Sequence, residues 1–249
     1  MPTISKISNP EDYSISIKKI ASFSNYEEMF FDYFRNQSHT VYNLSHALNF
    51  FPKNEKNLAL SIGTDVFKEV SFLKEKFFES IEVWEIEDEL IQIAGNIHKK
   101  FNQKIEFFKK NILQEKIIPN KFDTLLLFQM DYIFSDENMK IILDKAREAG
   151  IKECFIISPS ILHLGFPFPK EKDIFVHDLV KFIFLFFKSF SLKKIINTKN
   201  KNDNKSIHLT YTRTLKSFKK LVTQSHFNIK KVKVIMNTNG SFHFIHLKN

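Results

Sequence analysis

Three observations predict an α/β fold with a mostly parallel sheet. Between Leu58 and Ser160 one unit recurs: an apolar strand, a turn, then a helix with one apolar face. The run Leu125 to Leu127 is continuously apolar, as a strand covered on both faces must be. Two strand-like segments close the chain, joined through Asn237-Thr238-Asn239-Gly240, whose Asn-Gly ending favours a hairpin.

The elements follow in order. Residues 1 to about 24 are polar and weakly patterned, and read as an arm or a loose first element. Asn25 to Phe51 reads as one or two helices, with Leu44, Ala47, Leu48 and Phe51 at helical spacing. Pro52 to Asn57 is a charged linker. Leu58 to Ile62 is the first strand, Lys68 to Phe78 a helix, and Ile81 to Trp84 the second strand. Asp88 to Asn102 is a helix with Leu90, Ile93, Ala94 and Ile97 on one face. Ile105 to Phe108, Phe122 to Phe128 and Cys154 to Ile157 are three further strands. Asp136 to Ala149 is a helix with Gly150 in the position of a C-terminal cap. Ser158 to Lys170 holds three of the seven prolines and reads as a loop. Asp173 to Ile196 reads as a very apolar helix, and the Lys/Asn run Thr198 to Ser206 as a mobile loop. The sheet pattern resumes at Ile207 to Tyr211, a helix spans Leu215 to Gln224, and Ile229 to Met236 and Ser241 to Leu247 form the hairpin.

Composition limits the function classes. The 249 residues suffice for one large domain with additions, and 43% hydrophobic content supplies a core. With 29 Phe and only 5 Gly, alongside many Lys, Asn and Ile, the chain has the drift expected of an AT-rich genome, so glycine-based motifs are open to erosion. The net charge of +9 allows a polyanionic partner. The lysines are spread along the sequence, however, and no RNA-module motif interleaves them with aromatic residues, so nucleic acid is not the expected partner. Cys154 is the single cysteine; it lies in an apolar strand and reads as a buried, inert thiol in a reducing compartment, with a cytoplasmic location expected. No signal-peptide pattern opens the sequence, and no Cys-based metal site can be built.

Chemistry enters at the strand ends. The first strand ends at Gly63, and the second ends about 20 residues later in Glu85. An acidic side chain at that place is what a nucleoside-binding sheet uses to accept hydrogen bonds from ribose hydroxyls. Next to Glu87 and Asp88, Glu85 also reads as an exposed strand-end residue.

These residues resemble the class I methyltransferases that use S-adenosylmethionine. The resemblance covers Leu58 to Ser160 well and Ile207 to Leu247 more loosely. The family's first motif is an apolar strand, an acid and a loop with three alternating glycines. Here Leu58 to Phe67 reads Leu-Ala-Leu-Ser-Ile-Gly-Thr-Asp-Val-Phe. Only Gly63 survives; Ser61 replaces the acid, and Asp65 and Phe67 stand in place of the later glycines. Glu85 matches the ribose-binding acid. Ile105 to Ile112 is similar to the strand whose end contacts the adenine, with Asn111 for the common Asp. Phe122 to Gln129 is similar to the strand ending beside the methyl group. Thr214 to Leu221, with His226-Phe227 after it, is similar to the late helix and the approach to the final hairpin.

The resemblance implies a Rossmann-like class I methyltransferase fold: a mostly parallel seven-stranded sheet with a C-terminal antiparallel hairpin. Residues 1–57 would be an N-terminal helical segment, and 58–249 the main domain with an inserted helical lid at about 161–206. S-adenosylmethionine is the implied cofactor, held by Gly63, Asp65, Glu85, Asn111, Ile112 and Gln129. The loops after the fourth and fifth strands would face the methyl group with Gln129, Asp131, Tyr132, Ser158, Ser160 and His163. His163 is the first candidate base, His177 the second, and Asp131 a further one; positioning alone can also suffice. No metal is expected.

The acceptor expected is a small molecule, a sugar or a lipid-linked group. The apolar stretch 176–194 reads as a buried lid or, second, as a peripheral membrane contact with Lys193 and Lys194 on anionic headgroups. Two other readings stand beside this one. One is a scaffold on the same fold with a decayed site, in which the Phe67 ring would fill the adenosine space. The other is an RNA methyltransferase, which would carry a contiguous basic face.

Overall fold

The computed structural model describes residues 38–55, 57–64, 67–100, 104–159, 195–197, 208–210, 213, 215–237 and 240–249. Five α-helices are assigned among them: α1 (Ser38–Phe50), α2 (Phe67–Lys74), α3 (Asp88–Lys100), α4 (Asp136–Glu148) and α5 (Leu215–Gln224). The strands are β1 (Leu58–Ile62), β2 (Ser80–Glu85), β3 (Ile105–Lys109), β4 (Thr124–Phe128), β5 (Glu153–Pro159), β6 (Ile195–Asn197), β7 (His208–Thr210), β8 (Asn228–Asn237) and β9 (Gly240–Lys248).

Seven strands form one sheet in the order β3-β2-β1-β4-β5-β9-β8. The first five run parallel. β9 enters antiparallel between β5 and β8. This is the fold class expected, and the alternation along each strand divides the core in two. On one face Ala59, Val83, Leu126 and Phe155 meet α1, α2 and α3. On the other, Leu60, Trp84, Leu125, Leu127 and Ile156 meet α4 and α5. Cys154 is fully buried there, and burial pushes its thiol far above the ordinary range, as an inert core residue requires.

Helix ends explain the boundaries. Ser135 caps α4 by accepting the Asn138 N–H at 3.1 Å. Gly150 closes α4 with φ +78°, its N–H on Arg147 O and the Ile151 N–H on Ala146 O. The same motif ends α2, but with Lys76 in the left-handed position at φ +54°. There the Lys76 N–H bonds Leu73 O and the Phe77 N–H bonds Phe72 O. The helix expected to reach Phe78 therefore stops at Lys74, and Phe77 and Phe78 turn into the core.

Two expectations are corrected at the far end of the chain. Ile207 to Tyr211 does not join the main sheet; its described part, β7, pairs antiparallel with β6 in a separate two-stranded ribbon. Ile195 and Ile196, read as the end of a long helix, form that β6 strand. An apolar run of β-branched residues suits either state, and pairing decided it. The remainder of the expected lid at 161–206, with Ser160, His163, His177 and the whole of the 176–194 stretch, lies outside the described residues, as does Asp65. No helix among the described residues is long and apolar enough to cross a membrane.

Candidate functional site

The carboxyl ends of β1, β2 and β4 meet at Gly63, Glu85 and Gln129. Gly63 has φ +69°, a conformation that favours glycine, and its N–H donates to Trp84 O at 2.9 Å. A Cβ there would come within 2.6 Å of the Met130 thioether, so the missing side chain makes room for Met130 as well. Met130 arrives because Gln129, also left-handed at φ +52°, turns the chain sharply after β4. The Gln129 N–H is held by Ile157 O at 2.7 Å.

Glu85 is nearly buried and folds back on the backbone. Its Oε2 accepts the Thr64 N–H at 3.2 Å, which ties the turn after β1 to the tip of β2. Its Oε1 accepts Ile86 N–H at 2.7 Å and Glu87 N–H at 3.2 Å. Ile86, which the sequence reading passed over, is exposed beside it. Only its position one residue beyond the acid could have drawn attention to it.

Beneath the turn lies a second feature that the sequence reading missed. Lys68 and Glu69, at the start of α2, are both fully buried and ion-paired at 3.2 Å. Lys68 Nζ donates to Gly63 O at 3.1 Å and stands 5.7 Å from the Phe128 ring centre. Glu69 Oε1 accepts from Ser61 Oγ at 3.2 Å. Ser61 occupies the place where the resembling family carries an acid, and here α2 delivers a carboxylate to that place. Charges at helix starts are common, so sequence alone gives no sign that these two are buried.

The remaining candidates divide. Asn111 Oδ1 accepts the Leu113 N–H at 3.0 Å and shapes the turn after β3. The Ile112 side chain is taken up by the core, and its carbonyl receives Lys145 Nζ at 2.9 Å. Asp131 is fully buried, with Oδ2 accepting from Ser158 Oγ at 2.5 Å. Arg213, another residue the sequence reading missed, clamps this corner. It donates to Asp131 O at 2.8 Å, Phe134 O at 2.6 Å and Asp136 Oδ1 at 2.9 Å. His243, buried and paired across β9 with Ser158, lies near the same corner, and burial holds its pKa below the ordinary value. Phe67 opens α2; its ring lies outside the described residues, as do the Tyr132 side chain, Asp65, His163 and His177.

No protein-family model matches the chain, and no curated protein matches it in sequence. Its fold, in contrast, is shared with solved structures. A SAM-dependent methyltransferase from Methanosarcina mazei aligns with TM-score 0.60 and 15% identity over 81% of this chain and 95% of that one. A SAM-dependent methyltransferase from Leishmania major aligns with TM-score 0.59 and 13% identity over 98% and 87%. Magnesium protoporphyrin IX methyltransferase from Synechocystis, solved with bound SAH, aligns with TM-score 0.57 and 11% identity over 98% and 95%. The chain therefore has the fold of the class I SAM-dependent methyltransferases.

Proposed function

We propose that the protein is a SAM-dependent methyltransferase whose cofactor lies across the carboxyl ends of β1, β2 and β4. The observation that carries this is Glu85: a carboxylate at the tip of β2, bonded to the Gly63-Thr64 turn, with Ile86 exposed beside it. An open parallel sheet takes its ligand at this end, and a fold neighbour of this chain was solved with SAH bound.

The residues present fit the group. A carboxylate offers about four lone-pair positions, and three backbone amides take three of them. The Thr64 and Glu87 contacts are the longer two, both 3.2 Å, and are the ones that would yield to ribose hydroxyls. Ile86 would give the nucleoside an apolar surface. Met130, unbranched and flexible, would swing off Gly63 to open the turn. Asp65, Asn111, Ile112 and Gln129 stay as proposed neighbours of the cofactor. When bound, the cofactor supplies a methyl group already activated by its sulfonium. The protein's own work is then to orient the acceptor, exclude water and take up a proton where the acceptor releases one. In this reading Asp131, with Ser158 and Arg213, fixes the acceptor-side wall, and His163 is the proton acceptor.

The small-molecule, sugar or lipid-linked acceptor rests on the 161–206 stretch. The charge along α5 and β8 instead favours RNA methylation as the second reading of the acceptor. A protein with no cofactor is the opposing reading, and the specific observation behind it is Met130 packed on Gly63. Hydrogen exchange with and without SAM separates them. SAM binding requires altered exchange at Thr64, Ile86 and Glu87, since the ribose would displace amides now held by Glu85; unchanged exchange there at millimolar SAM contradicts it.

A further inference from the structure

We propose that the outer edge of the sheet, built by α5 and β8, is a docking surface for single-stranded nucleic acid. The inference rests on charge and placement, independently of the methyl-transfer reading.

From Asn204 to Asn249 the chain has nine Lys and Arg and no Asp or Glu. At the acid density of the preceding residues, about six would fall there. Taking those nine from the chain's 37 bases leaves 28, against 28 acids. The whole net charge of +9 thus belongs to this last segment, and everything before it balances. The lysines are spread through the sequence, but their uncompensated charge is not.

Of these nine, Lys219, Lys230, Lys231 and Lys233 lie exposed along one edge, whereas Arg213 is buried against Asp131 and Asp136 and Lys205 lies outside the described residues. β8 is the outermost strand. α5 buries Phe218, Leu221 and Val222 against the sheet. α4 flanks it on the Lys220 and Gln224 side, so helical periodicity puts Lys219 on the opposite flank, toward β8. Lys230, Lys231 and Lys233 are exposed on β8, with a bulge between Ile229 and Lys231. Lys231 reaches the α1 side of the sheet, where it lies over the Phe50 ring, and Lys233 acts on His46 of α1. Basic groups therefore wrap the edge from both faces. Among the described residues Lys219, Lys230 and Lys233 form no ion pair, whereas Lys53, Lys109 and Lys152 each have an acid. Among the described residues, Asp136 and Glu137 face Lys216 and Lys220 from α4, Arg213 already engages Asp136, and Glu153 beside β9 is taken up by His246.

Protection of an edge strand accounts for lysine on β8 itself; it does not account for a single sign extending onto α5. A phosphate backbone does. The edge strand has 10 residues, about 33 Å at strand rise, and carries charge toward both faces of the sheet. A flexible strand can bend over it and touch both faces, whereas a duplex is stiff over about 150 base pairs. A flat bilayer would meet one face, and Val234 is the one exposed large apolar side chain on this edge among the described residues.

The test is fluorescence anisotropy of a labelled 20-nucleotide single-stranded RNA titrated with the full chain between 50 and 300 mM KCl. Three to five phosphate contacts give a log–log salt slope of about −2 to −3.5. The triple variant Lys219→Gln/Lys230→Gln/Lys233→Gln is expected to bind at least tenfold more weakly at 100 mM, with a slope shallower by about 2. The triple Lys53→Gln/Lys109→Gln/Lys152→Gln removes the same charge from the balanced part and is expected to bind within twofold of the parent. All six side chains are exposed, and circular dichroism verifies that both variants keep the fold. Absence of RNA binding, an equal loss in both triples, or tighter edge-dependent binding of duplex or of phosphatidylserine vesicles overturns the proposal.

Discussion

Glu85 is asked to do two things at once, and substitutions can part them. As an acceptor of three amides it holds the ends of β1 and β2 together; as a ligand for ribose it must release some of them. Glu85→Ala leaves the buried Thr64 N–H without its acceptor and should cost about 1–3 kcal/mol in urea unfolding. Lys68 and Glu69 make a sharper case. Lys68→Met strands the Glu69 carboxylate in the core and should cost about 3–5 kcal/mol. Lys68→Met/Glu69→Gln should recover most of that loss, because no charge is then left buried. If the double variant is as unstable as the single one, the ion pair is not what the position needs. His98 titrates against the fold in the same way. It is buried over the Phe107 ring, and burial brings its pKa from 6.5 to about 4, with Glu69 opposing. Its neutral form is the one the fold accepts. Stability from this residue is therefore complete above pH 6.5 and is lost as pH falls toward 4, by about 3 kcal/mol. His98→Phe should flatten that part of the unfolding profile, and an unchanged slope would remove His98 as its source.

At the scale of elements, the contrast between α4 and α2 shows what a sequence reveals. Both helices end in the same hydrogen-bonded turn. Gly150 announces it, since glycine is the residue the left-handed position favours; Lys76 in the same role is invisible, and the expected helix ran four residues too far. Lys76→Gly should raise stability by about 1 kcal/mol in thermal unfolding, because the strained conformation then costs less. A drop would mean that the lysine side chain contributes more than its backbone costs. The parallel core and the hairpin were legible because period-2 and continuous apolar runs survive even in a Phe-rich chain. The ribbon of β6 and β7 was not, because three-residue strands carry too little pattern. The candidate site was half legible. Gly63 and Glu85 stand at positions that topology alone marks. Lys68, Glu69 and Arg213 act through long side chains reaching other elements, and no local spacing encodes that reach.

For the molecule as a whole, fold and charge point to different ends of the sheet. The strand ends around Glu85 suit a nucleoside cofactor, and the α5–β8 edge suits a phosphate backbone; a methyltransferase acting on RNA needs both. The central claim is the first of these. Its most direct test is calorimetric titration of the full chain with SAM and SAH, repeated on Glu85→Gln, which keeps the shape of the side chain but loses its charge and half of its acceptor capacity. Micromolar binding by the parent, weakened at least tenfold in Glu85→Gln with the fold retained by circular dichroism, is the expected result. Absence of binding at millimolar ligand, or equal binding by both proteins, would contradict the account.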